Sequence, residues 1–452
     1  MSIGKVCGWV RVDPARALSV VQIAAILSLG VVTVFRFHIF AEVDERAHLA
    51  YVQEVAENGR IPWLGHDHVA WQELALEEHT YPRPSPLNPR LLGLRGSSYE
   101  AWQPPLYYML AAPAFLVPND YRNKVFAVRA FDLLLLMATI LILAGLARAI
   151  FGERWRVPYC AALSVLLWPG VIVRAITVSN AALELPLVAL YVLVVWSATV
   201  KPRTSSLVAA ACLLGLCVLT QLTLGCLAPL LILPLVAYLR KRRDRLAFGV
   251  IVFVVAPPVV LIVPWLILNE GRYGALTASS LAQRMTRSYG PAGPQAGIGA
   301  VGLGLGRLTR VVLPQEWWSE YGGVRGVILI ALPAASLLLG ALPVVRHRRL
   351  LCSRISGLLA APLALGLATL LGICLLAEWP AALFPRYLHP MLPLFAMFAA
   401  WAWMWVGISR KRLLGFVALS SLVVGMIWVQ MAGAYYFTNV GAAFGIHAAP
   451  LT

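Results

Sequence analysis

Apolar runs of about twenty residues, most of them bounded by basic clusters, leave this chain few folds to choose from. They lie at 17–40, 125–147, 157–174, 181–199, 205–220, 222–239, 246–268, 323–345, 355–377, 388–408 and 413–432. Backbone inside lipid must satisfy its own hydrogen bonds, which a helix does within one segment. The runs are continuous rather than alternating, which excludes a transmembrane β-barrel. The expected fold class is all-α, a polytopic membrane protein with about eleven transmembrane helices. Composition agrees: 60% of the 452 residues are apolar and 13% charged, and the mean hydropathy is +0.77.

The net charge of +17 suggests nucleic acid at first sight, but its distribution gives a topological reading and no nucleic-acid partner. The short segments 1–16, 148–156, 200–204, 240–245, 346–354 and 409–412 hold 20 of the 37 Lys and Arg and only 3 of the 20 acids. Basic loops face the cytoplasm. That alternation puts the N-terminus inside and a tail at 433–452 outside, after a single transmembrane domain over 1–432. The first run is too long for the apolar part of a signal peptide and reads as an uncleaved span. Arg far outnumbers Lys, which points to a GC-rich bacterial genome and a bacterial plasma membrane. Seven cysteines avoid the outer loops and form no C-x-x-C pair, so disulfides are not expected.

Two large segments then face outside, 41–124 and 269–322. Parity turns on Gln103–Pro118, which is apolar, short and rich in proline. If it spanned, Arg148, Arg154 and Arg156 would face outward, so it is read as an interfacial or re-entrant helix. The stretch 291–306 is rich in glycine and reads as a loop.

Chemistry concentrates at the start of the first outer segment. Ala41–Gly59 reads as a helix with Asp44, His48, Tyr51 and Val55 on one face, stopped by Asn58-Gly59. Asp44 or Glu45 there would suit a general base taking a proton from a hydroxyl. The competing reading is that Asp44 caps the helix and Glu45 is a solvated first-turn charge. His66 and His68, with Glu77, Glu78 and His79 downstream, form the weaker candidate for a divalent metal; otherwise no cofactor is implied.

Further along, Trp102–Tyr108 reads either as an amphipathic anchor or as one wall of a groove lined by Glu100, Gln103 and Tyr107. Gln221 links two short spans on the outer side. Arg386 is either a snorkelling arginine or a fork for a lipid phosphate. Charges inside the runs are sparse, and Arg129, Asp132, Arg174 and Glu184 all sit toward outer ends. An ion-coupled transporter keeps such groups near the midplane, so their position favours chemistry at the outer face.

Asp44-Glu45-x-x-His48-x-x-Tyr51 with Gly59-x-Ile61-Pro62, then Gln103-Pro104-Pro105-Leu106-Tyr107-Tyr108, resembles the first outer loop of GT-C glycosyltransferases. These include protein O-mannosyltransferases and the lipid A aminoarabinose transferase. Arg386-Tyr387-Leu388-x-Pro390 is similar to a late motif of bacterial members, and Trp265–Asn269 with Tyr273-Gly274 to another. The resemblance implies two juxtamembrane helices, matching 44–58 and 103–118. It also implies a polyprenyl-phosphate-linked sugar donor and an inverting transfer to a glycan, lipid or protein acceptor at the outer face. Asp44 is implied as the base, with Glu45 beside it. The chain departs from the family at two places: a motif lysine is Gln221, and an acid after Asn180 is Ala181. A flippase for lipid-linked sugars and an outer-face polysaccharide polymerase or ligase remain open beside this reading.

Overall fold

The computed structural model describes residues 13–37, 39, 44–64, 100–242, 247–277, 353–376 and 387–443, and these contain helices and no strand. The helices are α1 (Pro14–Arg36), α2 (Glu45–Asn58), α3 (Leu106–Leu116), α4 (Tyr121–Phe151), α5 (Arg156–Leu166), α6 (Pro169–Ile176), α7 (Ala181–Val200) and α8 (Thr204–Thr220). A 3-10 stretch over Leu222–Leu231 leads into α9 (Ile232–Arg242) and α10 (Ala247–Tyr273). Later in the chain come α11 (Arg354–Leu359), α12 (Ala361–Leu376), α13 (Leu392–Trp405) and α14 (Arg410–Ala443).

All the expected apolar runs that fall on described residues are helical, but they are not all straight spans. Among the described residues six helices are long and apolar enough to cross a membrane, or seven if α5 and α6 count as one. The run at 323–345 lies outside the described residues. Two further runs stay outside that count for local reasons. Pro169 removes a backbone donor at the α5–α6 break, where the axis bends by 74°. The run at 388–408 opens with a 3-10 turn over His389–Met391, leaving α13 only 14 residues. This is a multi-pass helical membrane protein whose helices are broken at prolines.

The largest core cluster joins α1, α4, α5, α6, α7, α8 and α13. A second core is built where α2 lies on α3: Leu49, Tyr51 and Val52 pack with Tyr107, Tyr108, Ala111 and Phe115, over Val125 and Val128 of α4. Burying such aromatics contributes roughly 1.5–3 kcal/mol each, so α2 is fixed to the bundle rather than floating over it. Its end is set by Gly59 (φ 64), whose N–H donates to the Val55 carbonyl. Gly366 in α12 permits the approach of the 387–391 turn: a Cβ there would stand 2.7 Å from the Met391 sulfur.

Candidate functional site

The adjacent acids at the start of α2 have opposite surroundings. Asp44 occupies the N-cap position but has φ 73, and its side chain makes no capping hydrogen bond. Among the described residues it is the one non-glycine with positive φ. Such a backbone costs on the order of 1–3 kcal/mol and persists only where the surrounding structure enforces it. Glu45 is buried in a two-pronged ion pair: Arg129 Nε and Nη2 of α4 donate to its two carboxylate oxygens at 2.7 Å each. The Val178 N–H adds a third bond at 3.2 Å. Arg129, itself fully buried, also donates to the Phe37 carbonyl at 2.8 Å, tying the end of α1 to α2 and α4. Glu45 is thus neither a solvated charge nor a carboxylate open to a reactant.

Beyond this ion pair, α2 and α3 meet through rings. Tyr51 and Tyr108 stack with centroids 3.6 Å apart and planes 5° from parallel. His48 Nδ1 and the Tyr108 hydroxyl share a 2.7 Å hydrogen bond. Burial pushes the Tyr51 and Tyr108 phenols well above the ordinary value. For Tyr108 the neighbouring carboxylates of Glu100, Asp44 and Glu184 push in the same direction, with Tyr51 between Glu100 and Asp44 in strength. Three acids therefore surround one phenol that stays neutral.

A small polar pocket opens beside that phenol. His48, Glu100, Gln103 and Gln221 line it together, with Arg174, Ser179, Asn180, Ala181, Glu184 and Tyr387. Its floor is an amide network. Gln103 Nε2 donates to Glu100 at 2.9 Å, and Asn180 Nδ2 donates to the Gln221 amide oxygen, to the Thr220 carbonyl at 3.1 Å and to Gln103 at 3.4 Å. The Glu100–Gln103 turn, the head of α7 and the tail of α8 are thereby held in register.

Sequence reasoning placed four of these residues in the site, and the structure brings those four together. Two others point elsewhere: Tyr107 donates to Asp132 of α4 at 3.0 Å, and Tyr51 lies beneath Tyr108 with its hydroxyl on the Gln103 carbonyl at 3.3 Å. Arg386 lies outside the described residues, although its neighbour Tyr387 lines the pocket. His66 and His68 also lie outside them. Among the described residues no three metal-ligating side chains converge. Arg174, Asn180 and Glu184 were not assigned to the site from sequence. Their signal was present, since a charge near the end of an apolar run calls for a partner or a use.

Two other motifs meet at the end of α10. Arg272 Nη1 donates to the Ile61 and Pro62 carbonyls at 3.0 Å each, and the Tyr273 hydroxyl accepts from Leu64 N–H at 2.9 Å. The segment after α2 is thereby fastened to the end of α10.

Membrane helices that carry an α2–α3 pair, with a polar pocket beside it, are shared with solved structures, and that likeness is what supports a GT-C-like fold. No family model matches the sequence, and no curated protein does. Two solved structures share the fold. One is ArnT of Cupriavidus metallidurans, an aminoarabinose transferase, bound to undecaprenyl phosphate. It superposes with a TM-score of 0.52 at 14% identity, over 92% of this chain and 64% of that one. The other is the Archaeoglobus fulgidus oligosaccharyltransferase in complex with zinc and sulfate, with a TM-score of 0.50 at 14% identity, over 91% of this chain and 51% of that one. This chain thus spans between about half and two thirds of their lengths, and the likeness is one of fold.

Proposed function

We propose that this chain transfers a sugar from a polyprenyl-phosphate donor to an acceptor hydroxyl at the outer face of the membrane. The observation that carries the reading is the polar pocket lined by His48, one helical turn from Asp44, where acids, an arginine and fixed amides collect at one end of an otherwise apolar bundle. The fold shared with ArnT, whose structure holds undecaprenyl phosphate, supports a donor of that class.

In this reading the prenyl chain lies among the helices and the donor phosphate faces Arg174 or Arg386, since a guanidinium forks onto phosphate oxygens. Glu100, Gln103 and Asn180 supply rigid acceptors and donors for sugar hydroxyls. The acceptor, a glycan, lipid or protein, enters from the water side. Asp44 takes the proton of the acceptor hydroxyl. The acceptor oxygen forms a bond to the anomeric carbon as the bond from that carbon to the phosphate oxygen breaks, and the phosphate leaves with the electron pair. The anomeric centre inverts, through an oxocarbenium-like transition state. Glu45 acts through position alone: clamped by Arg129, it holds the first turn of α2 and so the backbone of Asp44.

The test is transfer by purified protein from an undecaprenyl-phosphate-linked sugar, comparing the parent with Asp44→Asn. The expected outcome is loss of transfer with unchanged thermal unfolding. Near-normal turnover in Asp44→Asn would overturn the assignment, and movement of the lipid-linked sugar across liposomes without covalent change would favour a flippase instead.

A further inference from the structure

We propose that the groove between α5, α13 and α14 holds an acyl chain of an anionic phospholipid from the inner leaflet, with the lipid phosphate against Arg412. The groove encloses about 1050 Å³ of non-protein space, its open mouth included, and is lined almost wholly by apolar atoms. It lies apart from the polar pocket and shares no residue with it.

Three observations converge. First, the walls combine small side chains, Ala161 of α5 with Ala396 and Ala399 of α13, and the rings of Phe395, Trp403 and Phe416, a lining that suits a flexible apolar chain. Small residues usually let membrane helices touch. The lining continues past α13 through the α13–α14 turn, where Gly407 has φ 93, to Ile408 and Arg412.

Second, the groove has an orientation. Arg412 lines one end, beside Arg410 and Lys411, and its guanidinium is exposed. A small core joins the starts of α1, α5 and α14 to the end of α13, and the Arg156–Asp13 ion pair lies at the same end. By the charge bias of membrane loops this is the cytoplasmic end.

Third, the charge matches one occupant. A cation at the mouth of an apolar slot in the inner leaflet complements a phosphate carrying fatty chains, and anionic lipids are attracted to such clusters. Among the described residues no acid pairs with the Arg412 guanidinium.

The test uses the full-length protein, incubated with vesicles of phosphatidylglycerol and phosphatidylcholine in equal amounts and then examined by native mass spectrometry. The parent should retain a phosphatidylglycerol in preference to phosphatidylcholine. Arg412→Gln should lower that preference by about fivefold, the scale expected for one basic side chain at an anionic surface. Ala399→Phe should fill the groove and lose the retained lipid, with circular dichroism reporting that the helices remain. Equal retention of the two lipids by the parent would overturn the proposal. So would Arg412→Gln retaining the parent's preference, or undecaprenyl phosphate displacing the phospholipid.

Discussion

The polar pocket lies before the start of α13, whereas the apolar groove runs along that helix. Tyr387, just before that helix, lines the pocket, while Phe395, Ala399 and Trp403 line the groove. The pocket is small, and its amides and acids are held by named hydrogen bonds. The groove is larger, with one cation at its mouth and walls of alanine and aromatic side chains. A site that must orient a reacting group needs fixed donors and acceptors, because misplacement by about 1 Å can cost on the order of a hundredfold in rate. A site that only holds a flexible chain needs volume and one charge. The same contrast recurs within two residues at the head of α2, where Asp44 is strained and half-buried and Glu45 is buried and doubly bonded to Arg129.

These contrasts can be broken experimentally. The largest effect belongs to Asp44: its replacement by Asn should cut transfer by about 10²–10⁴-fold, the usual worth of a general base, with little change in unfolding temperature. Asp44→Gly sharpens the point. It should lose as much activity while matching or exceeding the parent in stability, because glycine adopts φ 73 without strain. A capping role for the Asp44 side chain would instead make Asp44→Gly the less stable of the two, because Asn caps a helix as well as Asp does.

Glu45→Ala should do the reverse. It leaves Arg129 buried without its partner, which costs about 3–5 kcal/mol and is read as a lowered melting temperature in detergent. Adding Arg129→Met should recover much of that loss, whereas activity should not be rescued in any variant lacking Asp44. Of smaller size, Gln103→Leu removes the partner of Glu100 and one of those of Asn180, at a cost of about 1–3 kcal/mol. Its signature should be weakened donor binding alongside reduced stability.

Alkaline titration gives a milder change. Tyr51 and Tyr108 have phenols raised above the ordinary value near 10, so the fold binds their protons more tightly than the unfolded chain does. Stability should be flat below about pH 10 and fall as pH rises further. Phe at position 108 should remove part of that fall. The smallest expected effect is the fivefold loss of lipid preference in Arg412→Gln, with sugar transfer unaltered.

Length and hydrophobicity alone dictated the helical, membrane-spanning class, because a continuous apolar run in lipid has one economical way to satisfy its backbone. The apolar helices were legible for the same reason, whereas α2 was read from the helical spacing of its polar face, α3 from loop-charge parity, and His48, Glu100, Gln103 and Gln221 from their common outer side. What the chain could not announce was pairing across long separations. Glu45 meets Arg129 over 84 positions, and Asn180 meets Gln103 over 77. Nor could it show that neighbouring acids would divide their roles, since that depends on a left-handed turn at Asp44 and on which side of α2 meets α4. Nor could hydropathy show where a run would bend: Pro169 lowers it little within 157–174, yet it removes a backbone donor where the axis turns by 74°. Hydrophobic pattern is a property of successive residues and survives in the sequence. Charge compensation and cavity shape belong to surfaces that only meet once the helices have packed.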